Sequence, residues 1–417
     1  MKPTQYSKPF YIFFLMMPTG ISNGFVTVAL PFLLTKNGFP VATTAAIVAL
    51  GLSANLWRFL WGPIVDISLT ARKWFLIGLI ACIVSLLAVC IIPFTIKGTI
   101  LLSMLVFVSQ VAATLIVLPI NGIMAHRITA DKKGLASGWF QAGSLAGTGL
   151  GGGVGLWLST HYNAPLAGVV LCGISLLFAL VILLIKDIAH GKGKTLLLEV
   201  KGMGKDIFTM IKSPVALAVM ILMLLPIGTG AMSGIWSAIA EDWKTDADTV
   251  VLVTGLLSGL VSAVGCVAGG IVTDRWGVWK GYLGCGVICA AITTVIALIP
   301  YIPVAYTIGV LAYAFGTGMI YASFTATILF AIGKKNVATK YSLIASIGNL
   351  PVVYMTAFNG WIHDKYNSKV MLLAEAALGI LFVLLFFLAL KYLMQKRWIP
   401  IQAKHVEDVP SLEFVQA

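Results

Sequence analysis

Arg58, Lys340 and Glu375 are ionisable residues that fall within or at the edge of long apolar stretches of this 417-residue chain. A charge in such surroundings is costly unless it is paired or functional, so each is read as a candidate site. Arg58 lies eight residues before Asp66, and at about 1.5 Å of rise per helical residue it sits roughly 12 Å in from the helix end. It is placed to bind an anionic group of a solute, or to pair with a carboxylate or a helix C-terminus of its own half. Lys340 is shallower and can act as a second cation or snorkel to the surface. Glu375 is the one acid clearly inside an apolar stretch, where a carboxyl can relay a proton or serve as a satisfied structural group. Asn23, Asn55, Gln110, Trp139, Gln141, Trp236, Tyr313, Tyr321 and Asn349 supply the polar and aromatic groups of a sugar or peptide site. The same residue types also serve as hydrogen-bonding glue between helices. Asn55, Arg58 and Gln141 are the leading solute contacts.

Other chemistries find little support. No nucleophile and base stand paired at an interface, so an enzyme is not expected. Gly147-x-Gly149-x-x-Gly152 matches a dinucleotide fingerprint as a bare pattern, but it falls in the middle of an apolar helix instead of between a strand and a helix. The six cysteines (Cys82, Cys90, Cys172, Cys266, Cys285 and Cys289) lie in apolar stretches with no C-x-x-C pair. Neither a metal site nor a disulfide framework is therefore expected, and no cofactor is implied.

The elements that must hold these residues are membrane helices. The chain is 59% hydrophobic and 10% charged, against about 25% charged for an ordinary soluble domain. A helical span needs roughly 20 apolar residues. Twelve stretches qualify, at about 10 to 34, 43 to 66, 74 to 93, 100 to 122, 135 to 158, 165 to 185, 215 to 240, 249 to 273, 279 to 300, 303 to 327, 338 to 362 and 370 to 393. The first is too long, and too interrupted by Pro18, Gly20, Asn23 and Gly24, for a cleavable signal. The net charge of +13 follows topology and does not point to nucleic acid. With the N-terminus in the cytoplasm, 22 of the 28 Lys and Arg fall on that side, as the positive-inside tendency requires. Both termini are then cytoplasmic.

The chain also repeats itself. Pro18-x-Gly20 and Pro226-x-Gly228, Gly62-x3-Asp66 and Gly270-x3-Asp274, and the basic residues Arg72 and Lys280 are each 208 positions apart. Lys132-Lys133-x-x-Ala136-Ser137 returns as Lys334-Lys335-x-x-Ala338-Thr339. Tandem duplication gives a six-helix bundle over 1–185, a polar linker over 186–212, a second bundle over 213–395 and a tail over 396–417. The proline-glycine pairs are candidate hinges in the first and seventh spans. Within the linker, Thr195 to Ile211 alternates apolar residues with lysines, suiting either an amphipathic helix on an anionic leaflet or a solvated connector. Gly143, Gly147, Gly151 and Gly155 form a small-residue stripe whose expected partner is the eighth span, through Ser258, Ser262, Cys266 and Gly270.

Gly270-x3-Asp274-Arg275-x-Gly277-x2-Lys280 resembles the cytoplasmic loop signature of the major facilitator superfamily. Asp66, Arg72, Lys73, Gly270, Asp274, Arg275 and Lys280 are accordingly the expected gate, the aspartates able to meet basic residues or helix N-termini. The first copy is degenerate, with Ile67-Ser68 following Asp66. Within the superfamily, Arg58-Phe-Leu-Trp61-Gly-Pro63-Ile-Val-Asp66 and Ala338-Thr-Lys-Tyr341-Ser-Leu-Ile-Ala-Ser346 through Gly360-Trp361 look like the branch containing the muropeptide permease AmpG and the acetyl-coenzyme A transporters. Arg58 stands there in place of a more usual lysine. The twelve stretches and the duplication give an all-α integral membrane protein of the major facilitator fold, twelve helices in two pseudo-symmetric bundles, where some AmpG proteins are expected to have fourteen. The resemblance implies a proton symporter of the inner membrane that imports a bulky polar solute such as a muropeptide, and a monomer is expected. A siderophore or other organic-anion permease is the alternative within the superfamily, and a transport-inactive receptor or scaffold the alternative outside it.

Overall fold

The computed structural model describes residues 7–95, 98–187, 196–237 and 239–395, and all regular structure among them is helical. The tail expected over 396–417 and the linker residues 188–195 lie outside the described residues.

The first bundle opens with α1 (Tyr11–Gly24), which passes through a π-helical turn at Phe25–Ala29 into α2 (Leu30–Lys36). α3 (Val41–Trp57) and α4 (Gly62–Ile67) follow, then α5 (Ala71–Ile91), α6 (Thr99–Arg127), α7 (Lys133–His161) and α8 (Ala164–Ala179), the last ending in a 3-10 turn at Leu180–Leu184. α9 (Leu196–Lys212) is the linker helix. The second bundle comprises α10 (Pro214–Leu224), α11 (Ala247–Val250) leading through a π-helical run into α12 (Ser258–Trp276), then α13 (Val278–Leu298), α14 (Pro303–Ile332), α15 (Val337–Gly348), α16 (Leu350–Lys365) and α17 (Ser368–Gln395).

Among the described residues nine helices are long and apolar enough to cross a bilayer, or ten if the bent pair Gly204–Lys212 and Pro214–Leu224 counts as one crossing. Three of the twelve expected stretches fall short, each for a local reason. The stretch at 43 to 66 is divided by a turn after Trp57 that carries Arg58. The stretch at 135 to 158 is one continuous 29-residue helix, α7, but its many glycines dilute its apolar character. The stretch at 215 to 240 breaks after Leu224. Pro226 brings no N–H to a helix, and Gly228 and Gly230 take positive φ of 57° and 74°, which glycine adopts without steric cost. The two proline-glycine pairs therefore behave differently: Pro18 stays within a continuous α1, whereas Pro226-x-Gly228 unwinds the backbone altogether.

The glycine stripe of α7 packs against α1 and not, as expected, against α12. A methyl group added at Gly143, Gly147 or Gly151 would collide with the backbone of Phe13, Met17 or Ile21, and one at Gly24 would strike the carbonyl of Thr148. α12 instead meets α7 farther along, where Gly138 lies against the Cys266 carbonyl and Gly134 against Gly270. Two further glycines of α12, Gly265 and Gly269, face Phe315 and Met319 of α14. Small residues announce close approach without naming the partner. Gly151→Leu should lower thermal stability by about 1–3 kcal/mol through overpacking, and Gly149→Leu, with open space around its Cα, should melt as the parent does in the same detergent.

The apolar cores show how the halves meet. One large cluster runs through both bundles, joining Ile12, Phe75 and Met124 of the first to Val219, Ile320 and Tyr341 of the second. Two further clusters stay within single bundles, one around Phe25, Leu102 and Leu171, the other around Trp236, Trp243 and Tyr306. The halves thus share a core toward one end and keep separate cores toward the other. The shared end carries the loops at 66–72, 128–135, 274–280 and 333–340, and is called the basic end below.

Candidate transport site and latch

Two carboxylates close the basic end, each reaching from one half to a helix N-terminus of the other. Asp66 on α4 accepts from the backbone N–H of Ala338 at 3.1 Å and of Thr339 at 2.9 Å, and from the Thr339 hydroxyl at 2.7 Å. Asp274 on α12 accepts from the N–H of Gly134 at 2.6 Å and of Leu135 at 2.7 Å. The first turn of a helix has N–H groups with no partner in the helix and carries partial positive charge, so the helix start itself holds a carboxylate there. The glycine four residues earlier makes room: a Cβ at Gly62 would press on the Cα of Thr339, and one at Gly270 on the Gly134 carbonyl. Each repeated Gly-x3-Asp is therefore half of a reciprocal latch.

The basic residues expected at the gate stand at the same end but take no part in these latch contacts. Arg72 stays within its own bundle, donating to the Ile185 carbonyl at 2.6 Å while its backbone N–H meets Asp187 at 3.1 Å. Arg127 gathers the same chain end through the carbonyls of Lys186 and Asp187. Lys73, Arg275 and Lys280 are exposed. Lys340 is buried, and its ammonium lies 2.8 Å from Asp206 of the linker helix α9.

Deeper along the seam, Arg58 and Gln141 from the first half meet Tyr341 and Thr325 from the second. The Arg58 guanidinium lies 5.6 Å from the centroid of the Tyr341 ring, within cation–π range. Its Nε is enclosed without a hydrogen-bond partner, and no carboxylate among the described residues pairs with it. Gln141 donates to the Thr325 hydroxyl at 2.8 Å and, at 3.5 Å, to the Tyr321 carbonyl, and the hydroxyls of Thr325 and Tyr341 are 3.3 Å apart. The break between α3 and α4 aims Arg58 here, because the chain leaves helical geometry just after Trp57 and re-enters it at Gly62. A guanidinium, an amide and two hydroxyls at the contact between the two halves can hold an anionic or hydroxyl-rich solute.

A second polar centre lies inside the C-terminal bundle. Glu375 of α17 accepts from the Tyr313 hydroxyl at 2.9 Å and from Nδ2 of Asn359 at 2.5 Å. All three residues are buried, and the Oδ1 of Asn359 is enclosed without a partner. Neutral donors thus hold the carboxyl, and among the described residues no cation reaches it. Beside it, Trp236 packs edge-on to Tyr313 at 5.7 Å and to Tyr306 at 6.2 Å, within the second bundle's own core.

The remaining candidates are dispersed. Gln110 is buried between helices of the first bundle and donates to Ser22 at 3.2 Å. Trp139 stands edge-on to Phe13 at 5.8 Å. Asn55 turns back to its own helix, at 3.5 Å from the Leu52 carbonyl, Asn23 is partly buried on α1, and Asn349 sits at the junction of α15 and α16. Tyr341, Thr325 and Asn359 carry no sequence signal of a site, although Tyr341 lies within the segment Ala338–Ser346. A lone tyrosine, threonine or asparagine in an apolar helix carries no sign of its partner until helices are paired.

Residues 12–355 match the family model described as Major Facilitator Superfamily. No curated protein matches the chain in sequence. Among solved structures, the fold is similar to that of a bacterial homologue of the iron transporter ferroportin in an outward-facing state, at 12% identity and a TM-score of 0.68 over 91% of this chain and 98% of that one. It is similar as well to the human organic anion transporter MFSD10 (TETRAN), at 14% identity and a TM-score of 0.66 over 90% of this chain and 98% of that one. A third likeness is to a variant of the E. coli fucose:proton symporter FucP, at 14% identity and a TM-score of 0.65 over 91% and 98%. At such identities the likeness is one of fold.

Proposed function

The chain belongs to the major facilitator superfamily, and from that premise we propose that it is a proton-coupled secondary transporter that imports a bulky polar solute by alternating access. In this reading twelve spans form the two bundles, the protein works as a monomer in the inner membrane, and the basic end and both termini face the cytoplasm. The latch at Asp66 and Asp274 then closes the cytoplasmic side, and its opening admits the solute to the cell. A muropeptide-like sugar-peptide is the leading cargo, on the resemblance of the segments around Arg58 and Tyr341 to the AmpG branch.

The observation that carries the proposal is the meeting of Arg58 and Gln141 with Tyr341 and Thr325 at the seam. Solute sites in secondary transporters lie at such interfaces between repeats. Arg58, with no carboxylate partner among the described residues, also favours a second reading, a siderophore or other organic-anion permease, since a guanidinium so placed calls for an anion. Asn23, Asn55, Gln110, Trp139, Trp236, Tyr321, Lys340 and Asn349 remain proposed contacts of lower rank. Glu375 with Tyr313 is the proposed proton site.

Labelled muropeptide in proteoliposomes should accumulate under an imposed pH gradient, inside alkaline, and accumulation should cease when a protonophore collapses that gradient. Uptake indifferent to the protonophore would remove the coupling. Binding with no accumulation in any gradient would favour a transport-inactive receptor or scaffold.

A further inference from the structure

The linker helix α9 bridges the latch. Asp206 on one face pairs with Lys340 at 2.8 Å and accepts from Nδ2 of Asn336 at 2.9 Å. Met210, one turn on, is buried in the core that both halves share. Lys340 and Asn336 flank Ala338 and Thr339, the residues that Asp66 holds, so two carboxylates from separate parts of the chain grip one helix start. Over residues 204–212 the opposite face of α9 is exposed. Phe208 and Ile211 are 58% and 40% exposed, Lys205 and Lys212 beside them are exposed, and the Lys212 ammonium lies 4.3 Å from the Phe208 ring centroid. The direction of the helix says what covers that face. α9 bends by 77° into α10, so if α10 enters the bilayer along its normal, α9 runs nearly in the plane of the surface. A helix in that plane with phenylalanine and isoleucine between lysines fits the boundary of an anionic leaflet: the apolar groups enter the acyl region and the ammonium groups meet lipid phosphates.

We propose that α9 is an interfacial strap, whose outer face docks on anionic lipid and whose inner face, through Asp206, holds α15 in the closed latch, so that anionic lipid favours the closed state of the basic end. The proposal rests on the reading that the two halves rock about the seam.

The test uses the full-length chain in nanodiscs of phosphatidylcholine, with and without about one-third phosphatidylglycerol. Spin labels at Lys132→Cys and Lys335→Cys, both exposed positions, report the separation of the two helix starts, the six native cysteines being buried. Phosphatidylglycerol should reduce the open population by at least about threefold. Lys205→Gln with Lys212→Gln should abolish that lipid dependence, and Asp206→Asn should leave the latch open in both lipids. A lipid shift that survives removal of both lysines, or no shift in the parent chain, overturns the strap. Asp274→Asn separates the two layers of argument: if it opens the latch while lipid does nothing, rocking stands and the strap falls; if neither moves the labels, both fall.

Discussion

Replacing Arg58 with alanine should reduce uptake of an anionic solute by roughly 100-fold, while a neutral analogue of the same size loses little. The guanidinium lies over the Tyr341 ring with Nε enclosed and no carboxylate of the described residues paired with it, so a solute anion would supply the counter-charge. Truncating one partner of a buried charge pair costs about 2–5 kcal/mol. At about 1.4 kcal/mol per factor of ten, that spans roughly 30-fold to several-thousand-fold in affinity. Arg58→Lys keeps the charge but loses the planar fork, and should fall between parent and alanine. Initial-rate uptake of matched charged and neutral solutes in proteoliposomes is the measurement. Equal losses for both would mean that Arg58 holds the bundle together and does not read charge.

Glu375→Gln should abolish gradient-driven accumulation and spare solute exchange. The substitution keeps the shape of the side chain and an oxygen to accept from Tyr313 Oη, but it removes the exchangeable proton. Its new amide would face the Nδ2 of Asn359, donor against donor, until Asn359 turns to present the oxygen that now has no partner. The pocket can therefore accept the change with one side-chain flip. Counterflow, in which labelled and unlabelled solute trade places with no net proton movement, should continue at near the parent rate. Accumulation that persists at the parent level would show that Glu375 is a structural carboxyl. Loss of counterflow together with accumulation would trace the defect to packing against Tyr313, and so also count against a proton role.

Much of the latch was legible in the sequence because it is written twice. A glycine four residues before an aspartate, repeated at a fixed offset in a chain of apolar stretches, states both that a backbone must come close and that a carboxylate must arrive there. What it could not state was which helix comes close. Asp66 and Asp274 find backbone N–H groups in the opposite half, while Arg72, read as part of the gate, turns inward to its own bundle. The same limit explains the glycine stripe of α7, which pointed to a partner and found α1 in place of α12. Arg58 and Gln141 were visible as polar residues in apolar stretches, but their joint position depended on a break in helical geometry at Arg58 and on Tyr341 and Thr325, two common residue types. Lys340 drew notice as a charge near a helix start, but its partner Asp206 lies 134 positions earlier in a linker that no pattern tied to it.

Along α7, one side is pressed onto the backbone of α1 with nothing larger than hydrogen between them at Gly143, Gly147 and Gly151. That side is closed to evolutionary drift, because any added atom there strikes a main chain. The side that carries Gln141 is pressed that closely only at Gly134 and Gly138, where it meets α12, and is otherwise free of that constraint. New cargo preferences in descendants of this protein should therefore arise by changes on that free side and on the facing surfaces of α14 and α15, while the bare flank stays fixed as the spine on which the N-terminal bundle is assembled.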